Sequence, residues 1–366
     1  MKITRIEAFA IQAPRSHRFA SAAGVLTHSD FAIVVVETDE GVTGYGEVSS
    51  ALLHYRLGPS HALDINANLA PALIGRDPLL IPALVARMDT VLHDGGLAKS
   101  GVEMALWDIA GKAVGVPVYR LLGGKAREAV PLNWTVGFTE PDEAAQEAAY
   151  YVEHHGVRSV RLKIGRPGDI DARACAAVRE ALGPGFPIRA DANEHYATPR
   201  DAIGAIRRLE PFDLYSLEQP LRRHDWAGHA EVRAAVGVPI VLDESIQTPN
   251  DALTAIRHRS ADGFNVYISE SGGLLRAQQI VAIAEAAGLP CLIGTMGELQ
   301  IASAAAAHLA VACANIPFTC DLVGPWRYPA SVINETLRLE DGLFYPPDGP
   351  GLGVTPNWDT IDGWRV

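Results

Sequence analysis

From about residue 130 onward, short apolar runs recur at a nearly constant interval. Their ends fall at Lys163, Asp191, Glu218, Asp243, Tyr267, Gly294 and Asp321, in steps of 28, 27, 25, 24, 27 and 27 residues. The runs read "VRLKIG", "PIRADAN", "LYSLEQP", "PIVLDES", "GFNVYIS", "PCLIGT" and "PFTCDLVG", with "VPLNWTVG" before them. Helical stretches such as "DARACAAVREALG" and "LLRAQQIVAIAEAAG" lie between. A strand–helix unit of this length, repeated over eight strands, predicts a parallel α/β barrel of the TIM type. A doubly wound sheet shares the alternation but rarely keeps so even a period.

The first hundred or so residues follow another plan. "KITRIEAFAI" and "FAIVVVETDEGVTGYGEV" read as strands, the latter folded back at "TDEG". "PSHALDINANLAPALIG", "LLIPALVARMDTVL" and "SGVEMALWDIAGKAVG" read as helices. Strands followed by helices predict an α+β module over residues 1–125, with "YRLLGGKAREAV" leading into a barrel over 126–325. Residues 326–366 are loop-rich and too few for a core of their own, so they are expected to pack back on the first module.

Composition narrows the function. Acidic residues outnumber basic ones by 43 to 31, a net charge of −12, which argues against nucleic-acid and anionic-membrane partners. A small anionic substrate would need a local cation, and a bound metal supplies one. Cys175, Cys291, Cys313 and Cys320 form no CxxC pair, so neither a disulfide framework nor a zinc ribbon is expected. The N-terminus carries no signal-peptide apolar segment, and "IASAAAAHLAVACA" is too short to span a bilayer, so a cytoplasmic protein is expected.

Catalytic groups of such barrels gather at the C-terminal ends of the strands. Asp191, Glu218 and Asp243 occupy three consecutive ends, and bare like charges at close range repel. A hard divalent cation resolves the repulsion. With no His or Cys beside them, Mg²⁺ suits the set better than zinc. The alternative is three solvated acids paired with arginines across loops. Lys163 lies one strand earlier, with Arg161 two residues away on the same strand face. Two cations side by side near a metal disfavour protonation of the lysine and make it a usable general base. Lys163 could instead merely neutralise the acids.

In this order, "RLKIG", "DAN", "LEQP", "LDES", "SGG" and "GTMGE" resemble the enolase superfamily, and more narrowly its muconate-lactonizing subgroup. The resemblance extends to "AKSGVEMALWDIAGKAVGVPVYRLLGG" and "PDGPGLGV", so it covers essentially the whole chain. It implies an N-terminal α+β capping domain, a (β/α)7β barrel and Mg²⁺, or Mn²⁺ as a substitute. It also implies abstraction of a proton α to a carboxylate, with the metal stabilising the enediolate. By position it makes Asp191, Glu218 and Asp243 the ligands and Lys163 the base, with Asn193 and Glu244 behind the ligands. Glu298 would face the substrate. The cap would offer loops around residues 19–24 and 53–55, with His54 and Tyr55 as specificity contacts. A homo-oligomer, dimer to octamer, is implied as well.

Two departures from the family's pattern, at Arg161 and Tyr267, shape the expected reaction. Arg161 stands where the family usually has the first lysine of Lys-x-Lys, and Tyr267 replaces the lysine of the sixth strand. No histidine follows on the seventh strand, and Asp321-Leu322-Val323 lacks the second acid that family epimerases often carry. A phenol is a poor base at neutral pH but a competent hydrogen-bond donor. The expectation is therefore one-sided proton transfer by Lys163 in a muconate cycloisomerase-like isomerase or lyase. Dehydration of a β-hydroxy acid comes next, then racemisation or epimerisation of an amino-acid derivative. A non-catalytic carboxylate-binding relative is the reading from another class.

Overall fold

The computed structural model describes residues 1–21, 24–50 and 58–366. The N-terminal strands Ile3–Ser21, Gly24–Thr38 and Thr43–Ser50 form an antiparallel sheet. The first two are longer than the alternation alone suggests, so their hairpin reaches the barrel, where Phe138 N donates to Ala20 O at 2.7 Å. Helix Gly96–Val114 packs across the sheet. Glycine is required at the crossing: a Cβ at Gly46 would lie 1.9 Å from Gly101 O.

Seven parallel strands follow in sequential order: Asn133–Val136, Ser159–Lys163, Ile188–Asp191, Ser216–Glu218, Ile240–Leu242, Gly263–Val266 and Cys291–Ile293. The strand ends read from the sequence agree to within one residue. The eighth strand is reduced to a bridge at Cys320. Asp321 N bonds Ile293 O at 3.1 Å, while Cys320 N and O bond Pro131 O and Asn133 N at 2.8 and 2.9 Å, closing the barrel. These backbone bonds give the eighth position its neighbours without a longer strand.

The C-terminal segment divides its contacts. Hairpin Arg338–Glu340 and Leu343–Tyr345 pairs with Val130–Pro131 just ahead of the first barrel strand. The last residues lie on the cap, where Gln12 N bonds Trp364 O at 2.8 Å and the Phe9 and Trp358 rings are 5.9 Å apart. Asp108 of the long cap helix joins the two by accepting from Tyr45 N at 3.0 Å and Leu352 N at 2.8 Å.

Two buried cap glutamates dock the cap on the barrel. Glu103 accepts from Leu274 N and Leu275 N, both at 2.9 Å, at the start of helix Leu274–Ala286. Glu47 accepts from Leu299 N at 2.8 Å and Ala302 N at 3.1 Å, at the start of helix Gln300–Ala312. Each satisfies amides that have no partner within the helix.

Burial pushes Glu103 up from 4.5 to about 7 despite these bonds, and Glu47 to about 6. With its pKa raised, the folded chain binds more protons than the unfolded chain between pH 4.5 and about 7. Stability therefore falls as pH rises through that window, by at most roughly 1.4 kcal/mol per pH unit for each group. Glu103→Gln is expected to flatten the decline in urea unfolding midpoint across it. An unchanged slope would count against this role for Glu103.

Candidate active site

Strand alternation aims every second side chain into the barrel. In the second strand Ser159, Arg161 and Lys163 point inward while Val160 and Leu162 pack outside. The third strand turns Arg189 and Asp191 inward, and the fourth Ser216 and Glu218. Pairing of Lys163 with Asp191, and of Asp191 with Glu218, lines these groups up along one rim. Asp243 and Tyr267 follow directly on the fifth and sixth strands.

One oxygen from each of Asp191, Glu218 and Asp243 lies within 4.8 Å of the others, and all three residues are buried. Lys163 Nζ donates to Asp191 Oδ2 at 2.5 Å and to Asn193 Oδ1 at 2.6 Å. Asn193 Nδ2 in turn donates to Glu244 Oε1 at 3.0 Å. Arg161 turns toward the acids: its Nη1 is 2.5 Å from Glu218 Oε1 and 3.0 Å from Asp321 Oδ2. Tyr267 lies across the barrel from Lys163, on the sixth strand against the second. Its hydroxyl donates to Asp243 Oδ2 at 3.1 Å.

The charges do not cancel. Counted as ionised, the carboxylates of Asp191, Glu218, Asp243, Glu244 and Asp321, with Glu270 close enough to repel Asp243, outnumber the cations Lys163, Arg161 and Arg189. Burial, then repulsion from Glu244 and Glu218, drives Asp243 well above the usual carboxylate range. Burial also raises Asp191 against the pull of Lys163. For Glu218 burial acts upward too, but Arg161 and Arg189 outweigh it and hold the group below its ordinary value. Three converging oxygen donors with uncompensated charge fit a hard divalent cation.

Burial and the neighbouring Asp243 keep the Tyr267 phenol protonated far above its ordinary range. Its ring is wedged against the seventh strand, where a Cβ at Gly294 would lie 2.3 Å from Tyr267 Cε2. Glu298 is buried beyond that strand, its carboxylate accepting from the Thr295 hydroxyl and from Met296 N at 2.9 Å. Burial raises it to about 8. His54 and Tyr55 lie outside the described residues.

Several contributors escaped sequence reasoning. Arg189 Nη2 holds Glu218 Oε2 at 2.8 Å, and Asn265 Nδ2 donates to Glu218 Oε1 at 3.1 Å. Gln219, with φ of 37°, turns its Oε1 to Asp243 N at 2.9 Å and so orients that acid. Arg189 and Asn265 each sit two residues before a residue already singled out, so counting back one alternation would have found them.

Two family models match the chain. The N-terminal domain of mandelate racemase and muconate lactonizing enzyme covers residues 5–123, and the enolase C-terminal domain-like model covers 143–360. N-succinyl-L-Arg/Lys racemase of Bacillus cereus is 31% identical across 100% of this chain and 98% of its own. Its crystal structure aligns with a TM-score of 0.95. Muconate cycloisomerase 1 of Rhodococcus opacus is 33% identical across 100% and 98% of the two chains. The dipeptide epimerase of Enterococcus faecalis, solved with Mg and the dipeptide L-Leu-L-Tyr, aligns with a TM-score of 0.90 at 32% identity, over 97% of this chain and 100% of its own.

Proposed function

The chain belongs to the mandelate racemase and muconate lactonizing enzyme family of the enolase superfamily and is an isomerase of that superfamily. On that premise we propose that it abstracts a proton α to a substrate carboxylate from one face only, with Lys163 as the base. The reaction class is the reversible cycloisomerisation of a muconate-like acid. In the lactone-forming direction the distal carboxylate adds to the conjugated diene and Lys163 delivers a proton to the α carbon. In the reverse direction Lys163 takes that proton as the C–O bond breaks. Asp191, Glu218 and Asp243 are the residues that would hold Mg²⁺. When bound, Mg²⁺ supplies the positive charge that offsets the negative charge developing on the substrate carboxylate.

The chain's own groups do the rest. Asp191 and Asn193 position the Lys163 amine on the rim at 2.5 and 2.6 Å. Arg161 and Arg189 balance Glu218 from below, which keeps that carboxylate ionised and ready to ligate. Tyr267 is committed as a donor to Asp243 and stays neutral, so the sixth strand, opposite the lysine, offers no base to exchange roles with. That single observation carries the one-sided reading. Dehydration of a β-hydroxy acid would use the same one-lysine arrangement, and the racemase and epimerase relatives make two-sided chemistry the competing outcome.

Proton NMR in D₂O with Mg²⁺, over muconates, lactones, β-hydroxy acids and N-acylated or free amino acids, tests this. The expected result is loss of the α-proton signal with configuration retained. Exchange with inversion would overturn it and make Tyr267 a partner base. Tyr267→Phe is expected to slow turnover and leave α-proton exchange measurable; loss of exchange in this variant would also sink the one-base reading.

A further inference from the structure

A cavity of roughly 820 Å³ lies between the cap hairpin, helix Pro141–His155 and the loop that follows Asp321. That volume is within the range of about 300–1,000 Å³ in which small-molecule sites fall. None of the metal carboxylates lines it, nor does Lys163. Trp134 points out of the first barrel strand into this space, whereas its neighbours Asn133 and Thr135 bond inside the barrel.

Two arginines line the cavity, and neither guanidinium is hydrogen-bonded to a carboxylate of a described residue. Arg327 is only 9% exposed, yet its guanidinium makes no hydrogen bond or ion pair with any described residue. Its contacts are aromatic faces: Trp134 at 4.6 Å and Phe19 at 5.6 Å from its Cζ. Arg15 lies over Phe19 and Tyr328 at 5.5 and 5.6 Å. Arg15 bonds Ser29 Oγ at 2.8 Å through Nη1, but its buried Nε has no partner.

Of the cavity's acids, Glu147 attracts Arg327 without hydrogen-bonding it, and Glu143 is committed elsewhere. Glu147 accepts from Trp134 Nε1 at 2.8 Å, and Glu143 serves the start of its own helix through the Thr139 hydroxyl and Glu140 N. Burial, then the nearby Arg15, pulls Arg327 down to about 10, so it remains charged at neutral pH. A buried charge without a hydrogen-bonded counterion is costly, and an anionic ligand in the cavity would relieve the cost. Trp134 and Tyr151 stack with centroids 3.4 Å apart, and Trp326 closes the wall beside His155 at 4.5 Å.

We propose that this cavity is a second binding site, separate from the metal carboxylates, for a small organic acid with a flat aromatic or conjugated body. Arg327 and Arg15 hold the carboxylate, and the aromatic walls take the body. The ligand is a small acid distinct from the molecule whose α proton Lys163 takes.

Benzoate is the probe, titrated into the full chain in EDTA while tryptophan fluorescence and binding heat are followed. EDTA removes binding that depends on a metal, so failure here is distinguishable from failure of the proton-abstraction reading. The expected result is saturable quenching by benzoate and none by benzyl alcohol, with affinity at least tenfold weaker in Arg327→Gln and several-fold weaker in Arg15→Gln. Each variant is compared at an unchanged melting temperature; if Arg327→Gln does not fold, Arg15→Gln and Trp326→Ala provide the reading. No saturable binding to the unmodified chain, equal binding of benzyl alcohol, or full affinity in the folded arginine variants overturns the proposal. With Mg²⁺ restored, benzoate is expected to bind without competing with substrate in α-proton exchange; competition would overturn the separate site.

Discussion

Lys163→Ala is expected to lower α-proton exchange by roughly 10²–10⁴-fold, the range typical of a lost general base. The side chain is 8% exposed, at the end of the second barrel strand, and its amine is fixed by Asp191 and Asn193. The strands facing it offer no replacement base: the sixth presents a protonated phenol and the seventh a glycine. The same substitution removes a positive charge 2.5 Å from Asp191 Oδ2, so Mg²⁺ affinity by calorimetry should be unchanged or tighter. Lost exchange with retained metal binding separates a missing base from a collapsed site. A Lys163→Ala protein that exchanges at the unmodified rate would remove the lysine from the mechanism.

Asp243→Asn should move two measurements in opposite directions. It takes away one of three converging carboxylates, so Mg²⁺ affinity should drop by at least tenfold and exchange should fall by orders of magnitude. In chelator the variant should melt higher than the unmodified protein, because the buried repulsion of Asp243 with Glu244 and Glu218 is gone. The Tyr267 hydroxyl keeps an oxygen acceptor in asparagine, so its hydrogen bond need not be lost. Unchanged calorimetric affinity would exclude Asp243 from the ligand set. Chelating the unmodified enzyme should likewise abolish exchange, with recovery on adding Mg²⁺.

The barrel and its acidic rim were legible because both rest on local, periodic features. A βα unit has a narrow length range, so its repetition is written along the chain, and strand alternation decides which side chains point inward. That is why Lys163, Asp191 and Glu218 were found at strand ends, and why Asp243 and Tyr267 lie one residue beyond theirs. The shortened eighth strand was not legible, since its closing bonds at Cys320 come from Pro131 and Asn133, nearly two hundred positions earlier. Nor were Glu47 and Glu103, whose partners are helix starts on the other side of the cap–barrel junction.

By itself the sequence determined the family, the barrel and the inward direction of each rim residue, because spacing along one strand dictates side-chain direction. Only the tertiary structure decided which inward groups meet. Arg161 turns to Glu218 and Asp321, Tyr267 to Asp243, and Arg327 onto the faces of Trp134 and Phe19. Distances across a barrel, or between a cap and a barrel, depend on how separately built elements pack. Alternation along a single strand carries no information about that packing.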